Sequence, residues 1–130
     1  MTALKDPAQL KWKPLVTPGT PIPTPWRKEE FEAFSRAIQA ERKKIRADRR
    51  PESEMDALFT REKAEVSRIL GNDQFSGKVG AFEGAMYEPR GYFRPEVDCI
   101  MFTRDEVPFC RVCQAAISRI IDLYVKGPGQ

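Results

Sequence analysis

The sequence predicts a mostly α, α+β chain: a proline-rich extended strap, a helical hairpin, an irregular segment and a C-terminal helix. Three observations carry this. Five prolines between Pro14 and Pro25 exclude regular helix there, because each removes a backbone donor and fixes φ. Two long stretches then repeat apolar residues at helical spacing, and a third does so near the end of the chain. Between the second and third, glycines and a proline break any helical period. At 130 residues the chain is at most one ordinary domain with a small core.

Residues 1–25 form the strap. Pro21, Pro23 and Pro25 alternate and favour an extended, polyproline-like path. Such composition also suits a linker; Trp12, Leu15, Val16 and Ile22 instead supply anchors for a strap laid across a folded body. Thr24 and Pro25 read as a helix start, a capping hydroxyl followed by proline at the first helical position. Phe31, Phe34, Ile38 and Ile45 then share one helix face to about Ala47. After a break at residues 48–51, Met55, Leu58, Phe59, Val66, Ile69 and Leu70 mark a second amphipathic helix, which Gly71 stops. Residues 26–71 therefore read as an antiparallel helical hairpin.

Residues 72–130 begin with a polar loop, followed by a short strand or extended rim over residues 79–82. Gly84, Pro89 and Gly91 read as turns. The last helix runs from about Cys110 to Val125, with Cys113, Ala116, Ile117, Ile120, Ile121 and Tyr124 on its apolar face. Gly127, Pro128 and Gly129 end it and are expected to fray.

Charge narrows the function classes. The 22 basic residues face 19 acidic ones, and a net charge of +3 makes no case for nucleic acid or an anionic membrane. The densest basic run, Arg42 to Arg50, has no interleaved aromatics for base stacking and reads as a solvated helix end. No stretch approaches the roughly 20 apolar residues of a membrane span.

The chain has no histidine. That excludes Ser-His-Asp and Cys-His nucleophile systems and any imidazole metal ligand. The helical carboxylates are surface-patterned and are assigned no acid–base role, and no phosphate-cradling glycine loop is present. Cys110-Arg111-Val112-Cys113 is a Cys-x-x-Cys, with Cys99 as a third thiol. A structural zinc site, a redox pair at a helix N-terminus, a disulfide clip and a cluster of buried thiols all fit that spacing.

One ordered string carries a family resemblance. Val79-Gly80-Ala81-Phe82-Glu83-Gly84-Ala85-Met86-Tyr87 leads into Gly91-Tyr92-Phe93-Arg94-Pro95-Glu96-Val97-Asp98-Cys99-Ile100-Met101, then Phe109-Cys110-Arg111-Val112-Cys113 and the final helix. It resembles the C-terminal portion of the IgA-peptidase-like zinc metalloendopeptidases, a metzincin-type family. Lys11-Trp12-Lys13-Pro14-Leu15 and the prolines to Pro25 resemble the segment that follows the zinc helix in that family. The upstream His-Glu-x-x-His helix that carries the zinc there has no counterpart here.

The resemblance implies that Met101 sits in a Met-turn, as an apolar floor beneath the zinc that ligates nothing. It places Glu83, Tyr87, Tyr92 and Arg94 near the substrate cleft; for Glu83 and Arg94, a buried ion pair that holds the loop is the structural alternative. It makes the helical hairpin an insertion and residues 72–130 the Met-turn region and terminal helix of a catalytic domain. The implied function is the C-terminal subdomain of a zinc-dependent endopeptidase, inert as an isolated chain. Zinc belongs to the intact enzyme, and this chain alone binds none. The implied partners are the N-terminal catalytic half and a protein or peptide substrate, in a secreted or periplasmic setting. The alternative is a freestanding, non-catalytic helical interaction module.

Overall fold

A computed structural model describes residues 2–3, 6–103 and 106–127 of the chain. The described elements are β1 (Thr2–Ala3), α1 (Lys28–Ala47), α2 (Glu52–Gly71), β2 (Phe82–Ala85), β3 (Glu88–Arg94) and α3 (Arg111–Lys126), with short 3-10 turns at Pro7–Gln9 and Lys13–Leu15. The fold is mostly α with a small antiparallel sheet, ordered β1-β3-β2.

α1 and α2 form the expected antiparallel pair. Ile38 and Ile45 of α1 pack with Met55 and Leu58 of α2 near the connecting loop. At the other end Val66, Ile69 and Leu70 pack with Phe75, Phe82 and Val97, and this joins the pair to the sheet. Cross-helix pairs Arg61–Glu41 (2.6 Å) and Arg68–Glu30 (2.7 Å) are exposed, where ion pairs contribute little. The stripes of hydrophobic side chains hold the pair together.

The start of α1 differs from the expectation. The helix begins at Lys28, and Thr24 caps nothing in it. The Thr24 hydroxyl accepts from the Ala81 amide (2.9 Å) and donates to the Pro21 carbonyl (2.7 Å). A second strand-like partner competes for the hydroxyl and wins, because Ala81 and Thr24 also share a backbone bond (Thr24 N–H to Ala81 O, 2.8 Å). Asp73 instead accepts from the Arg27 amide at the helix start (2.7 Å).

The strap lies against residues 79–81. Thr17 N–H donates to Val79 O (3.0 Å), the Val79 amide donates to Thr17 Oγ1 (3.0 Å), and the Trp12 indole N–H donates to Gly80 O (2.6 Å). Trp12 is buried, and Val16 and Ile22 pack beside it on Val79, Ala81 and Phe93. Leu15, expected as an anchor, is exposed, and Leu10 takes that place in the core. The 3-10 turn at Lys13–Leu15 rotates Leu15 away from the body while leaving Trp12 facing it. The path also bends at Ile22 and Pro23, so the alternating prolines do not form one continuous polyproline helix.

Gly80 is where this seam is tightest. A Cβ there would lie 2.1 Å from Thr24 Oγ1 and 3.0 Å from Thr20 Cγ2. Thr24 cannot yield without breaking its bonds to Ala81 and Pro21. Gly80→Ala is therefore expected to destabilise the chain by about 3 kcal/mol, the upper range for forced overpacking. Urea unfolding measures it, and a loss below about 1 kcal/mol would show that the strap shifts freely.

The β2–β3 hairpin replaces the turns expected at Gly84, Pro89 and Gly91. Those residues lie within strands, and the reversal falls at Met86 and Tyr87, with φ of 56° and 63°. A two-residue hairpin turn of this hand needs positive φ at both positions and usually recruits Asn or Gly. Here neither is present, which hid the turn from the sequence. Gly84, at φ 109°, sits in the register shift between Glu83 and Ala85. The strap's first residues then add β1, with Thr2 opposite Phe93 and Ala3 opposite Tyr92.

α3 forms where its periodicity predicts, and Gly127 (φ 75°) closes it by donating to Leu123 O (3.2 Å). None of its residues is buried. Ile117, Ile120, Ile121, Leu123, Tyr124 and Val125 are all exposed. The expected fraying of Pro128 and Gly129 lies outside the described residues. Among the described residues no helix is long and apolar enough to cross a membrane.

Candidate functional site

The residues singled out above lie on the β2–β3 hairpin, in the turn after β3 and at the start of α3. Arg94 ends β3 and is only 3% exposed. Its guanidinium donates to Gly84 O (2.7 Å), Glu83 O (3.0 Å) and Val97 O (2.9 and 3.1 Å). It is flanked by the Trp26 ring at 4.4 Å and the Phe102 ring at 3.7 Å, measured from the guanidinium carbon to each ring centroid. Burial pushes its pKa down to about 9, against the opposing pull of Asp98. A planar fork of five donors suits this nest, because Nη1 serves the hairpin carbonyls while Nη2 and Nε together serve Val97 O. Arg94 thus holds the hairpin to the following turn and is closed off from solvent.

The anticipated Arg94–Glu83 side-chain ion pair does not form. Arg94 takes the Glu83 carbonyl, while the Glu83 carboxylate pairs with Lys28 at the start of α1 and accepts from the Gly91 amide (3.3 Å). Lys28 was not legible as a partner, because it lies 55 residues away in sequence. The Lys28 hydrogen bond chiefly lowers the Glu83 pKa, with help from Gly91 and Arg90. The unfolded carboxyl, near 4.3, therefore holds its proton more tightly than the folded one. The stabilisation is fully present above the unfolded value and is lost as pH falls through the lowered folded value. Urea midpoints between pH 6 and 2.5 should fall below pH 4 in the wild type and fall less in Glu83→Gln. The difference stays small, since the pair is partly exposed and screened. Parallel profiles would remove Glu83 from the acid transition.

Tyr87 stands fully exposed at the hairpin tip, and Tyr92 is half-buried on β3. Met101 lies in a tight turn in which the Phe102 and Thr103 amides both donate to Cys99 O (2.8 and 3.3 Å). Its side chain is 63% exposed. The Thr103 hydroxyl donates to Asp98 Oδ1 (2.7 Å), and the Cys99 amide donates to that same oxygen (2.8 Å), which fixes the turn from the inside.

Cys99, Cys110 and Cys113 converge as free thiols, their sulfurs all within 4.8 Å of one another. Cys110 occupies the N-cap of α3 and Cys113 lies in its first turn. Burial pushes the Cys110 thiol up to about 12, and burial also raises Cys113. Glu96, buried beside them, accepts from the Arg111 amide (2.7 Å) and supplies the helix cap that Cys110 does not. Sequence reasoning passed over Glu96; an acidic residue fifteen positions before a helix carries no local capping signal. A groove of about 610 Å³ opens beside Cys110, lined also by Leu70, Glu96, Val97, Phe109 and Gln114.

The structure leaves Tyr87 at the hairpin tip and Met101 in its turn exposed, and the apolar face of α3 uncovered among the described residues.

A family model described as IgA Peptidase M64 matches residues 1–121. No curated protein matches the chain. Since the match runs through the strap, the helical pair, the hairpin, the methionine turn and most of α3, the chain belongs to the IgA peptidase M64 family.

Proposed function

We propose that this chain acts as the C-terminal subdomain of a zinc-dependent metalloendopeptidase, forming the floor and one wall of its cleft. The observation that carries the proposal is α3: an amphipathic helix of 16 residues, none of them buried. Exposed apolar surface on this scale marks a face that another body covers. The absence of histidine points the same way, since a family of metallopeptidases needs ligands that this chain does not have. Its own residues do not fit the catalytic metal, and no chemical step is assigned to them.

In this proposal Met101, in its braced turn, forms the floor under the metal, and Tyr87 and Tyr92 line the wall with Glu83. Arg94, being buried, positions that wall without touching substrate. The enzyme works in a secreted or periplasmic setting. The covering body is the N-terminal catalytic half, and the substrate is a protein or peptide.

The test is complementation. The chain is co-expressed with a His-Glu-x-x-His-bearing N-terminal portion from an M64 family member, and cleavage of a fluorogenic peptide library is followed. Chelator-sensitive cleavage is expected only when both pieces are present. If the pieces do not associate, and the chain alone melts cooperatively, the fragment proposal fails and a freestanding interaction module takes its place.

A further inference from the structure

We propose that Cys99, Cys110 and Cys113 form a three-thiolate site for one thiophilic d10 cation, zinc(II) or copper(I), that staples the methionine turn to the start of α3. The inference rests on thiol geometry and helix anchoring, and it holds or fails independently of the peptidase proposal.

The first support is spacing. A cation bound at ~2.3 Å to each sulfur sets its sulfurs ~3.8–4.0 Å apart, depending on whether the site is tetrahedral or trigonal. Cys99 and Cys113 already stand 4.0 Å apart, and all three sulfurs lie within 4.8 Å. Closing on an ion requires side-chain adjustment of less than ~1 Å, with no backbone movement implied by that spacing.

The second support is the surroundings of the sulfurs. The Cys110 amide donates to Cys99 Sγ at 3.3 Å, a contact that favours a sulfur carrying negative charge. Cys110 and Cys113 sit at the N-terminal end of α3, where the helix dipole favours anions and opposes the burial that keeps these two thiols protonated until a cation displaces the protons. Two of the three sulfurs come from buried residues, and soft thiolates in such a setting select zinc or copper(I) over hard cations.

The third support is need. α3 buries no residue of its own, and among the described residues it is held at its start by Glu96 on Arg111, by Arg111 on the Gly77 carbonyl, and by Val112 against the Trp12 cluster. A helix with so little apolar burial gains most from a cross-link at its first turn. Cys99 belongs to the turn that carries Met101, so one ion bridges both elements.

Loading is a ligand exchange with no redox change. Each thiol gives its proton to solvent as its sulfur takes a place on the cation, so three protons leave per ion bound. Among the described residues no fourth cysteine, aspartate or glutamate joins the cluster. Zinc would therefore complete a tetrahedron with water, and copper(I) would remain trigonal.

The test uses the full 130-residue chain, reduced and stripped of metal under anaerobic conditions, with separate zinc and copper(I) arms. After desalting against a micromolar-affinity chelator, one ion per chain is expected in at least one arm. Alkylation followed by mass spectrometry should find three reactive thiols in the metal-free chain and at least a tenfold slowing of all three in the loaded chain. Cys99→Ser and Cys113→Ser should each abolish retention, with circular dichroism reporting whether they stay folded. If either variant unfolds, protection of the wild-type thiols still decides the matter. Retention of either metal supports the site. Retention of neither overturns it, as does loss of 2 Da with a single alkylatable thiol in metal-free chain purified without reductant, which would make the cluster a disulfide clip.

Discussion

Arg94→Ala is expected to destabilise the chain by about 3–5 kcal/mol, the range found when one partner of a buried charged network is removed. The substitution strips donors from the carbonyls of Glu83, Gly84 and Val97 in a region closed to water. Each carbonyl left unpaired there costs about 1–3 kcal/mol. The flanking Trp26 and Phe102 rings lose a cation worth up to about 2 kcal/mol when desolvated. Relief from burying a charge offsets part of the sum, which is why the net falls below the total of its parts. Against a stability of about 5–15 kcal/mol for an ordinary domain, the loss is severe. Arg94→Met separates packing from hydrogen bonding, because it keeps most of the volume and none of the donors. It should still lose at least about 2 kcal/mol in urea unfolding. A smaller loss would mean that the three carbonyls do not depend on the guanidinium, and this account of the hairpin would be wrong.

Charging the uncovered face of α3 should do the reverse: little to the chain, much to its association. Ile120 and Ile121 are 54% and 55% exposed, so Ile120→Glu with Ile121→Glu removes few existing contacts. Glutamate is also at least as good a helix former as isoleucine. The isolated double variant should keep its stability within about 0.5 kcal/mol. Docking of the N-terminal half would bury both positions. Each isoleucine fully removed from water is worth about 1.5–3 kcal/mol, and the variant would bury two carboxylates in its place. Association should weaken at least about 100-fold, since 1.4 kcal/mol is a factor of ten. Peptidase complementation should fall with it. A double variant that complements as well as the wild type would place the seam elsewhere.

The parts of this fold that were legible share one property: their signal is local. The stripes through Ile38 and Ile45, and through Leu58, Ile69 and Leu70, repeat at the period of the helix that buries them, so their pattern announces both structure and face. Trp12 among prolines marked an anchored strap for the same reason, being a large apolar side chain in a segment with no other use for one. The failures were equally consistent. Thr24 and Pro25 carried a sound capping signal that a long-range partner overrode. Met86 and Tyr87 made a turn without the residues that advertise one.

The candidate site was half legible. Three cysteines in the last third of the chain, and a methionine between two of them, were visible as a group; their convergence was not. Arg94 and Glu83 were singled out together, yet their real partners are backbone carbonyls and Lys28. By itself the sequence determined the helices, their apolar faces and the exclusion of imidazole chemistry, because these follow from periodicity and composition. Only the tertiary structure decided which strand the N-terminus joins, what the buried guanidinium binds, how near the three sulfurs stand and that α3 lies uncovered. Those are relations between residues tens of positions apart, set by which groups must be paired once water is excluded, and no local pattern encodes them.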